Sequence, residues 1–148
     1  MKRHNSRILS VMILFNIDMN QITLEELTSE KLTEVKDNVI SIIQDDDYKV
    51  DIDYELSDVI VNYAALNLEK IRSIISDNLV NWTIDRLSYV DRAIMICAVS
   101  EMLQQIAPKQ VIINEYLEIT REYSMVTDEK QVKFNNRVLE VISKSIYE

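Results

Sequence analysis

The absence of glycine constrains this sequence more than any other feature. At the usual frequency a chain of this length would hold about ten glycines, and this one holds none. Strand hairpins would lack their usual turn residues, and no glycine-rich loop can cradle a phosphate, which excludes P-loop and dinucleotide-binding proteins. Because an all-helical protein is least affected by the lack of glycine, the sequence predicts the all-α class.

Apolar residues recur at helical spacing throughout the chain, which predicts about seven helices, no strand of consequence and a single domain over residues 1–148. We expect Trp82, Cys97 and Phe134 to be largely buried. No run of eighteen apolar residues is present, so no membrane-spanning helix is expected. The predicted helices cover residues 5–19, 24–44, 48–79 (one helix, or two with a break near Asn67), a stretch capped by Ser88 and ended by Pro108, 111–122 and 129–146.

Two of these helices have predicted inward faces. In the first helix the face is formed by Ile8, Val11, Met12, Phe15 and Met19. In the last helix the candidate core residues are Phe134, Val138, Leu139, Val141 and Ile142. Residues 124–128 between the last two helices are expected to form a loop and a helix cap.

The distribution of charge matters more than the net charge of −9, which by itself argues against a nucleic-acid partner. Residues 18–58 hold thirteen acids against three lysines, so this one segment accounts for the negative charge. Residues 1–17 carry Lys2, Arg3 and Arg7 and no acid. The N-terminal arm is therefore suited to a polyanion, and a frayed, solvated terminus is the alternative.

Residues that carry enzyme chemistry are scarce. With one histidine, His4, and one cysteine, Cys97, no Ser-His-Asp set and no Cys-His ligand cluster can be assembled. We therefore expect no catalysis, no cofactor and no metal, and we interpret Cys97 as a structural thiol of a reducing compartment. The run Asp45-Asp46-Asp47 lacks the spacing of a calcium loop and indicates solvated chain.

Glu101 falls near the apolar face of its helix, where a carboxylate is either a general base or a structural acceptor. We favour the structural role, in which it accepts hydrogen bonds from backbone amides near Pro108. Glu115 and Glu118 are expected to be solvated. Trp82 is interpreted as a packing residue at the junction between the two halves of the protein rather than a platform for stacking bases.

Three motifs stand in the second half of the chain: the segments 87–93 (LSYVDRA), 101–103 (EML) and 108–115 (PKQVIINE). In order and spacing they resemble the motifs of the NusB family of bacterial transcription antitermination factors. The N-terminal arginines and Phe15 resemble the family's first helix. The segment 133–139 (KFNNRVL) resembles a family segment in which Arg137 replaces a glycine and Asn135 replaces an apolar residue.

The resemblance implies two small antiparallel helical subbundles and a cytoplasmic protein of the bacterial elongation complex. It implies that boxA-type RNA and the small-subunit ribosomal protein NusE are the partners. The implied partner-binding residues are Phe15, Asp85 and Asp91, although Asp91 also fits a purely capping role in its helix. The implied RNA-binding residues are Lys2, Arg3, Arg7, Lys130, Lys133, Phe134 and Asn136.

Two functions remain open at this point. The first is RNA binding that promotes processive rRNA transcription, and the second is docking of a basic ribosomal partner with little RNA binding. The sequence leaves undecided whether the chain is a monomer or a homodimer.

Overall fold

The structure is a computed structural model that describes residues 1–45, 47–124 and 129–148. Over these residues it contains seven α-helices, one short 3-10 helix and no strand, which confirms the predicted all-α class. The helix break predicted near Asn67 is present. The elements are α1 (Lys2–Met19), α2 (Ser29–Ile43), α3 (Tyr54–Leu66), α4 (Leu68–Asp77), the 3-10 helix (Ile84–Arg86), α5 (Tyr89–Gln104), α6 (Lys109–Tyr123) and α7 (Lys130–Tyr147).

Helix α5 is the centre of the molecule. Every residue from Asp91 to Met102 is buried, so this helix has no solvent face. Helices α1, α3, α4, α6 and α7 all pack on it. Arg7 meets Glu101 and Phe15 meets Tyr89, so α1 runs antiparallel to α5. Helices α2 and α3 join α1 on one side, and α6 and α7 cover the other, which gives the two predicted subbundles.

The inward face of α1 differs from the predicted one. Val11 is buried and Phe15 is partly buried, but Met19 is half exposed. The residues that are most deeply buried are Leu9, Ile13, Leu14 and Ile17. Because α1 packs against α2, α3, α5 and α6, it buries more than one face, whereas a single apolar stripe describes a helix with one buried face.

Side-chain caps fix the starts of three helices, among them α3, where the Asp53 carboxylate accepts the Leu56 amide. The Thr28 hydroxyl accepts the Lys31 amide at the start of α2, whose first residue, Ser29, lies five residues after the predicted start of that helix. Thr23 instead pairs with Glu26 in a separate turn. At the start of α5, Ser88 accepts the Asp91 amide, as its position in the sequence predicts.

Helix ends show the consequence of having no glycine. Among the residues that the structure describes, four non-glycine residues adopt positive φ, including Gln105, which follows α5 with φ 49° and ψ 45°. Glycine normally occupies this left-handed position after a helix. The chain then turns through Pro108 into α6.

Two predictions fall on residues outside the described ranges: Asp46 of the three-aspartate run, and residues 125–128 of the predicted loop and cap. In the last helix, Val138, Leu139 and Ile142 are buried as predicted, but Val141 is half exposed. No helix in the described ranges is long and apolar enough to cross a membrane.

Candidate RNA and partner surfaces

The start of α1 presents two of the predicted basic residues to solvent. Lys2 and Arg3 are exposed, and Arg3 lies 3.9 Å from a carboxylate oxygen of Asp53. Because this contact is long and solvated, it holds the guanidinium only weakly. Both cations are therefore accessible to a polyanion.

Arg7 is the exception among the predicted RNA-binding residues. It is 2 % exposed, and its Nε and Nη2 donate to the two carboxylate oxygens of Glu101 at 2.7 and 3.0 Å. The Tyr116 hydroxyl donates to the same carboxylate at 2.6 Å. The prediction that Arg7 binds RNA is wrong, because its charge is buried and used inside the protein.

Glu101 is buried as predicted, but its partners differ from those expected. It accepts from Arg7 and Tyr116 rather than from backbone amides near Pro108. Burial alone lowers the pKa of the Arg7 guanidinium, but the hydrogen bond and charge of Glu101 outweigh that effect and raise the pKa. This pair locks α1 to α5 and α6.

The thiol of Cys97 lies next to this network. It is fully buried, as predicted, and burial followed by the charge of Glu101 raises the pKa of the thiol well above its ordinary value. The thiol is therefore neutral at physiological pH, in agreement with a structural role.

The start of α7 carries the second basic group. Lys130, Lys133 and Asn136 are exposed, and Phe134 is partly exposed rather than largely buried. The buried residue of this turn is Asn135, whose amide donates to the Thr120 hydroxyl at 3.1 Å. The functional side chains predicted for this helix are thus on its outer face.

Trp82 is 46 % exposed, so the prediction that it is largely buried is wrong. Its ring meets Phe134 edge to face, with centroids 6.0 Å apart and an interplanar angle of 62°. The guanidinium of Arg86 lies 5.2 Å from the Trp82 ring, and that of Arg137 lies 5.6 Å from the Phe134 ring. These four residues are called the Trp82–Phe134 patch below.

A cavity of about 420 Å³ opens at this patch, with Leu87 and Lys130 among its lining residues. A half-exposed ring and a partly exposed ring, each with an arginine against it, form a surface that suits stacking with a flat, negatively charged ligand. Sequence reasoning missed Trp82, Arg86 and Arg137. The feature of the sequence that could have indicated this surface is the close spacing of Trp82 and Arg86 in the loop just before α5.

The predicted partner-binding residues differ in exposure: Phe15 and Asp85 reach the surface, and Asp91 is buried. Asp85 has 76 % of its side chain exposed and faces Arg72 at 3.0 Å and Arg92 at 3.5 Å. Phe15 is partly exposed and meets Tyr89 edge to face at 6.5 Å. These two residues lie near each other, because Arg92 also stacks on Tyr89 at 4.3 Å.

Asp91 does not belong to this surface. It is 2 % exposed, and its carboxylate accepts from the hydroxyls of Ser88 at 2.7 Å and Ser124 at 3.4 Å. Burial raises the pKa of the Asp91 carboxyl, although hydrogen bonds from Ser88, Ser124 and Asn135 oppose the shift. The partner-binding prediction for Asp91 is wrong, since its buried carboxylate accepts the Ser88 hydroxyl that caps α5 and ties α5 to Ser124, the residue after α6.

The last turns of α6 connect the two basic helix starts. His4, in the first turn of α1, contacts Glu115 and Glu122. Arg121 contacts Glu129, the residue just before α7. In the described part of the chain no group of three or more His, Cys, Asp or Glu side chains is placed to hold a metal ion.

The fold and these surfaces define a class, namely small all-α proteins built on a buried central helix with basic residues at exposed helix starts. The family model described as "NusB family" matches residues 4–144. The chain therefore belongs to the NusB family, and the resemblance found in its motifs is confirmed.

Relatives and solved structures agree with this assignment. The chain is 37% identical over 145 residues to the transcription antitermination protein NusB of Clostridium botulinum (strain Alaska E43 / Type E3), covering 97% of this chain and 99% of that one. It is 33% identical over 144 residues to NusB of Fervidobacterium nodosum, covering 97% and 91%. A crystal structure of antitermination factors NusB and NusE in complex with dsRNA matches with a TM-score of 0.73 at 26% identity, over 96% of both chains.

Proposed function

We propose that this protein is a transcription antitermination factor of the bacterial cytoplasm. In this proposal it binds boxA-type leader RNA together with NusE and promotes processive rRNA transcription within the elongation complex. The observation that carries the proposal is the likeness, over 96% of both chains, to the structure that contains NusB, NusE and dsRNA. The proposal treats residues 1–148 as one binding unit and assigns it no chemical step.

The two basic helix starts are the proposed RNA-binding surface. Lys2 and Arg3 are exposed in the first turn of α1, which His4 joins to Glu122 of α6, and Lys130 and Lys133 are exposed in the first turn of α7, next to Glu129, which pairs with Arg121 of α6. Lysines and arginines that contact phosphates set affinity more than sequence preference. Asn136, exposed on the same face of α7, adds a side-chain amide that can donate to or accept from a base edge.

The Trp82–Phe134 patch is the proposed site for an unstacked base. Single-stranded RNA is recognised largely by stacking bases on aromatic rings and arginine planes, and this patch offers both at 5–6 Å spacing. We therefore add Trp82, Arg86 and Arg137 to Phe134 as proposed RNA-binding residues, and we no longer include Arg7 among them.

The surface around Phe15 and Asp85 is the proposed site for NusE. A partly exposed aromatic ring supplies apolar contact, and an exposed carboxylate at its edge favours a basic partner. One observation favours the second function, docking with little RNA binding: residues 18–58 give one part of the molecule a local charge of −10. A chain that used mainly this segment would bind a basic protein and repel RNA.

A gel-shift titration with a ribosomal-leader RNA, with and without NusE, tests the proposal. RNA binding that neutralises phosphates weakens steeply with salt, whereas a protein interface alone does not. The Lys2→Ala/Arg3→Ala double variant should weaken all RNAs alike and reduce the salt slope by roughly one to two units. Lys144→Ala, an exposed lysine in the last turn of α7, is the matched control and should leave the slope unchanged. No retardation of RNA at low salt, even with NusE present, would contradict the proposal and favour docking alone.

A further inference from the structure

His4 lies between two carboxylates of α6. Its Nδ1 is 2.8 Å from Oε2 of Glu115, and its Nε2 is 2.7 Å from Oε1 of Glu122. The imidazole is the only one in the chain, and only 15 % of its side chain is exposed. It stands in the first turn of α1, the turn that carries Lys2 and Arg3.

Only one protonation state satisfies both contacts. Ionised carboxylates accept hydrogen bonds and cannot donate them, so both ring nitrogens must donate. A neutral imidazole has one N–H, and its other nitrogen would then face a carboxylate with lone pair against lone pair. The imidazolium donates on both sides and neutralises one of the two negative charges.

The first turn of α1 is held on two sides: the Asn5 amide donates to the Asp51 backbone carbonyl at 3.0 Å, and His4 makes the ion pairs that join this turn to α6. Arg7 also faces Glu115, with Nη1 to Oε1 at 3.4 Å, but most of its charge is matched by Glu101. On the opposite side, the Ser6 hydroxyl accepts the backbone N–H of Asp53 at 2.7 Å, and the Asp53 carboxylate meets Arg3 at 3.9 Å. On the α6 side, the contact with Glu122 is made by His4 alone among the described ion pairs of α1.

The last turn of α6 adds no other cation on the His4 side. Tyr123 lies beside the first turns of α1 in a cavity shared with Asn5 and Ile8. Burial, followed by the charge of Glu122, raises the pKa of the Tyr123 phenol, which therefore stays neutral at physiological pH. The groups that face the imidazole from α6 are thus the two carboxylates, and loss of its proton would leave them largely uncompensated.

We propose that His4 is a positioning residue for RNA: its protonated ring clamps the first turn of α1 to α6, holds Lys2 and Arg3 in place and shields the phosphates from Glu115 and Glu122. This inference rests on the proposed function. When the ring loses its proton, the first turn loosens and two acids stand beside the basic arm, so RNA binding weakens as pH rises.

The direction of the titration agrees with this geometry. Partial burial by itself lowers the pKa of His4, but hydrogen bonds and charges of Glu115 and Glu122 outweigh it and raise the pKa above 6.5. A group with a raised folded-state pKa contributes stability that is fully present below the unfolded value and lost as pH rises through the folded value. The clamp is therefore closed at and below pH 6.5 and opens at higher pH.

The first experiment uses the full chain without RNA. The ring of His4 is titrated by NMR while the order of the Arg3 and Asn5 amides is followed by relaxation. We expect a midpoint above 6.5 and a loss of order in the first turn as pH rises through it. Glu122→Gln should lower the midpoint, and Glu118→Gln should not, because Glu118 is exposed on the same helix and pairs with Arg121. The inference would be overturned if the His4 midpoint is the same in Glu122→Gln as in the wild type. It would also be overturned if the first turn of α1 is equally ordered on both sides of the midpoint.

The second experiment measures RNA affinity against pH with NusE present. We expect at least about a fivefold loss across the ring midpoint, with the affinity midpoint following the NMR midpoint in Glu122→Gln. His4→Gln should bind at the high-pH level at all pH values. His4→Arg, a permanent cation with several donors, should bind at the low-pH level at all pH values. A pH-dependent affinity that persists in His4→Gln would overturn the role of His4, whereas no RNA binding at any pH would overturn the proposed function itself.

Discussion

At the scale of single residues, the Arg7–Glu101 pair shows how burial changes the role of a charge. The bidentate contact and the Tyr116 hydroxyl together satisfy the carboxylate inside a nearly all-apolar core. A buried pair of this kind is costly to break, because removal of one partner leaves the other charge uncompensated. Arg7 is thus a structural residue in a basic arm whose other members face solvent.

The Arg7→Ala variant should lower the free energy of unfolding by about 3–5 kcal/mol. Arg3→Ala is the matched control, since it removes the same charge from the same helix at an exposed site and should change stability by less than about 0.5 kcal/mol. Urea unfolding of both variants measures the difference. If Arg7→Ala is as mild as Arg3→Ala, the buried pair does not hold α1 in place.

Asp91 leads to a prediction of pH dependence. Burial raises the pKa of its carboxyl in the folded protein, so its contribution to stability is fully present below the unfolded pKa, about 3.9, and is lost as pH rises through the folded pKa. Asp91→Asn keeps the shape and cannot titrate. The free energy of unfolding of the wild type, minus that of Asp91→Asn, should therefore fall as pH rises from about 4 towards neutrality. Urea unfolding at several pH values measures this difference, and a rise with pH would contradict the burial argument.

At the scale of elements, helix type and order could be predicted from periodicity, and the exposure of individual faces could not. Helix α5 is buried on every side, so it has no polar face to mark its orientation. In α7, one residue of register separates Phe134 from Asn135, and the asparagine is buried because Thr120 on another helix receives its amide. A contact between two helices cannot be predicted from the spacing of residues within one of them.

The predicted burial of Trp82 is wrong for a related reason. It stands in the short connection between α4 and the 3-10 helix, where no periodicity reports burial. Large aromatic residues are buried on average, which favours the packing interpretation. Its exposed face and its contact with Phe134 become visible only when the start of α7 is placed against this connection.

The Trp82→Ala variant tests the patch formed by that connection and α7. Loss of one stacked base costs about 1–3 kcal/mol, so RNA affinity should fall by roughly 5- to 150-fold. Tyr48→Ala is the control, because Tyr48 is an exposed aromatic residue of the acidic segment and should leave RNA affinity unchanged. Trp82 is the only tryptophan, so quenching of its fluorescence by RNA gives an independent readout. Equal affinities for the two variants would exclude stacking at this patch.

At the scale of the whole molecule, charge divides the surface. The acidic segment 18–58 covers the end of α1, α2 and the chain into the first turns of α3, and it meets the basic start of α1 at the Arg3–Asp53 pair; exposed cations mark the starts of α1 and α7. Such a division lets one small protein hold a polyanion and a basic protein at the same time, because each partner is attracted to a different region and repelled by the other. The sequence alone predicted the division, since it depends on charge order along the chain. The grouping of Asp85, outside the segment, with Phe15 came instead from the family resemblance, because charge order along the chain does not bring these two residues together.

The Asp85→Lys variant tests whether that acid guides NusE. Reversal of an exposed charge at the edge of an interface mainly slows association and reduces its salt dependence, so the association rate should fall at low ionic strength and approach the wild-type rate at high salt. Because Asp85 also pairs with Arg72 and Arg92, Asp85→Asn is measured alongside and should give a smaller effect in the same direction. Asp37→Lys changes the net charge equally at an exposed position of α2 and is the control.

Stopped-flow or surface-capture measurements of the association rate distinguish the outcomes. Equal slowing by Asp85→Lys and Asp37→Lys would mean that net charge alone attracts the partner, whereas slowing by Asp85→Lys alone would place the docking surface at Phe15 and Asp85.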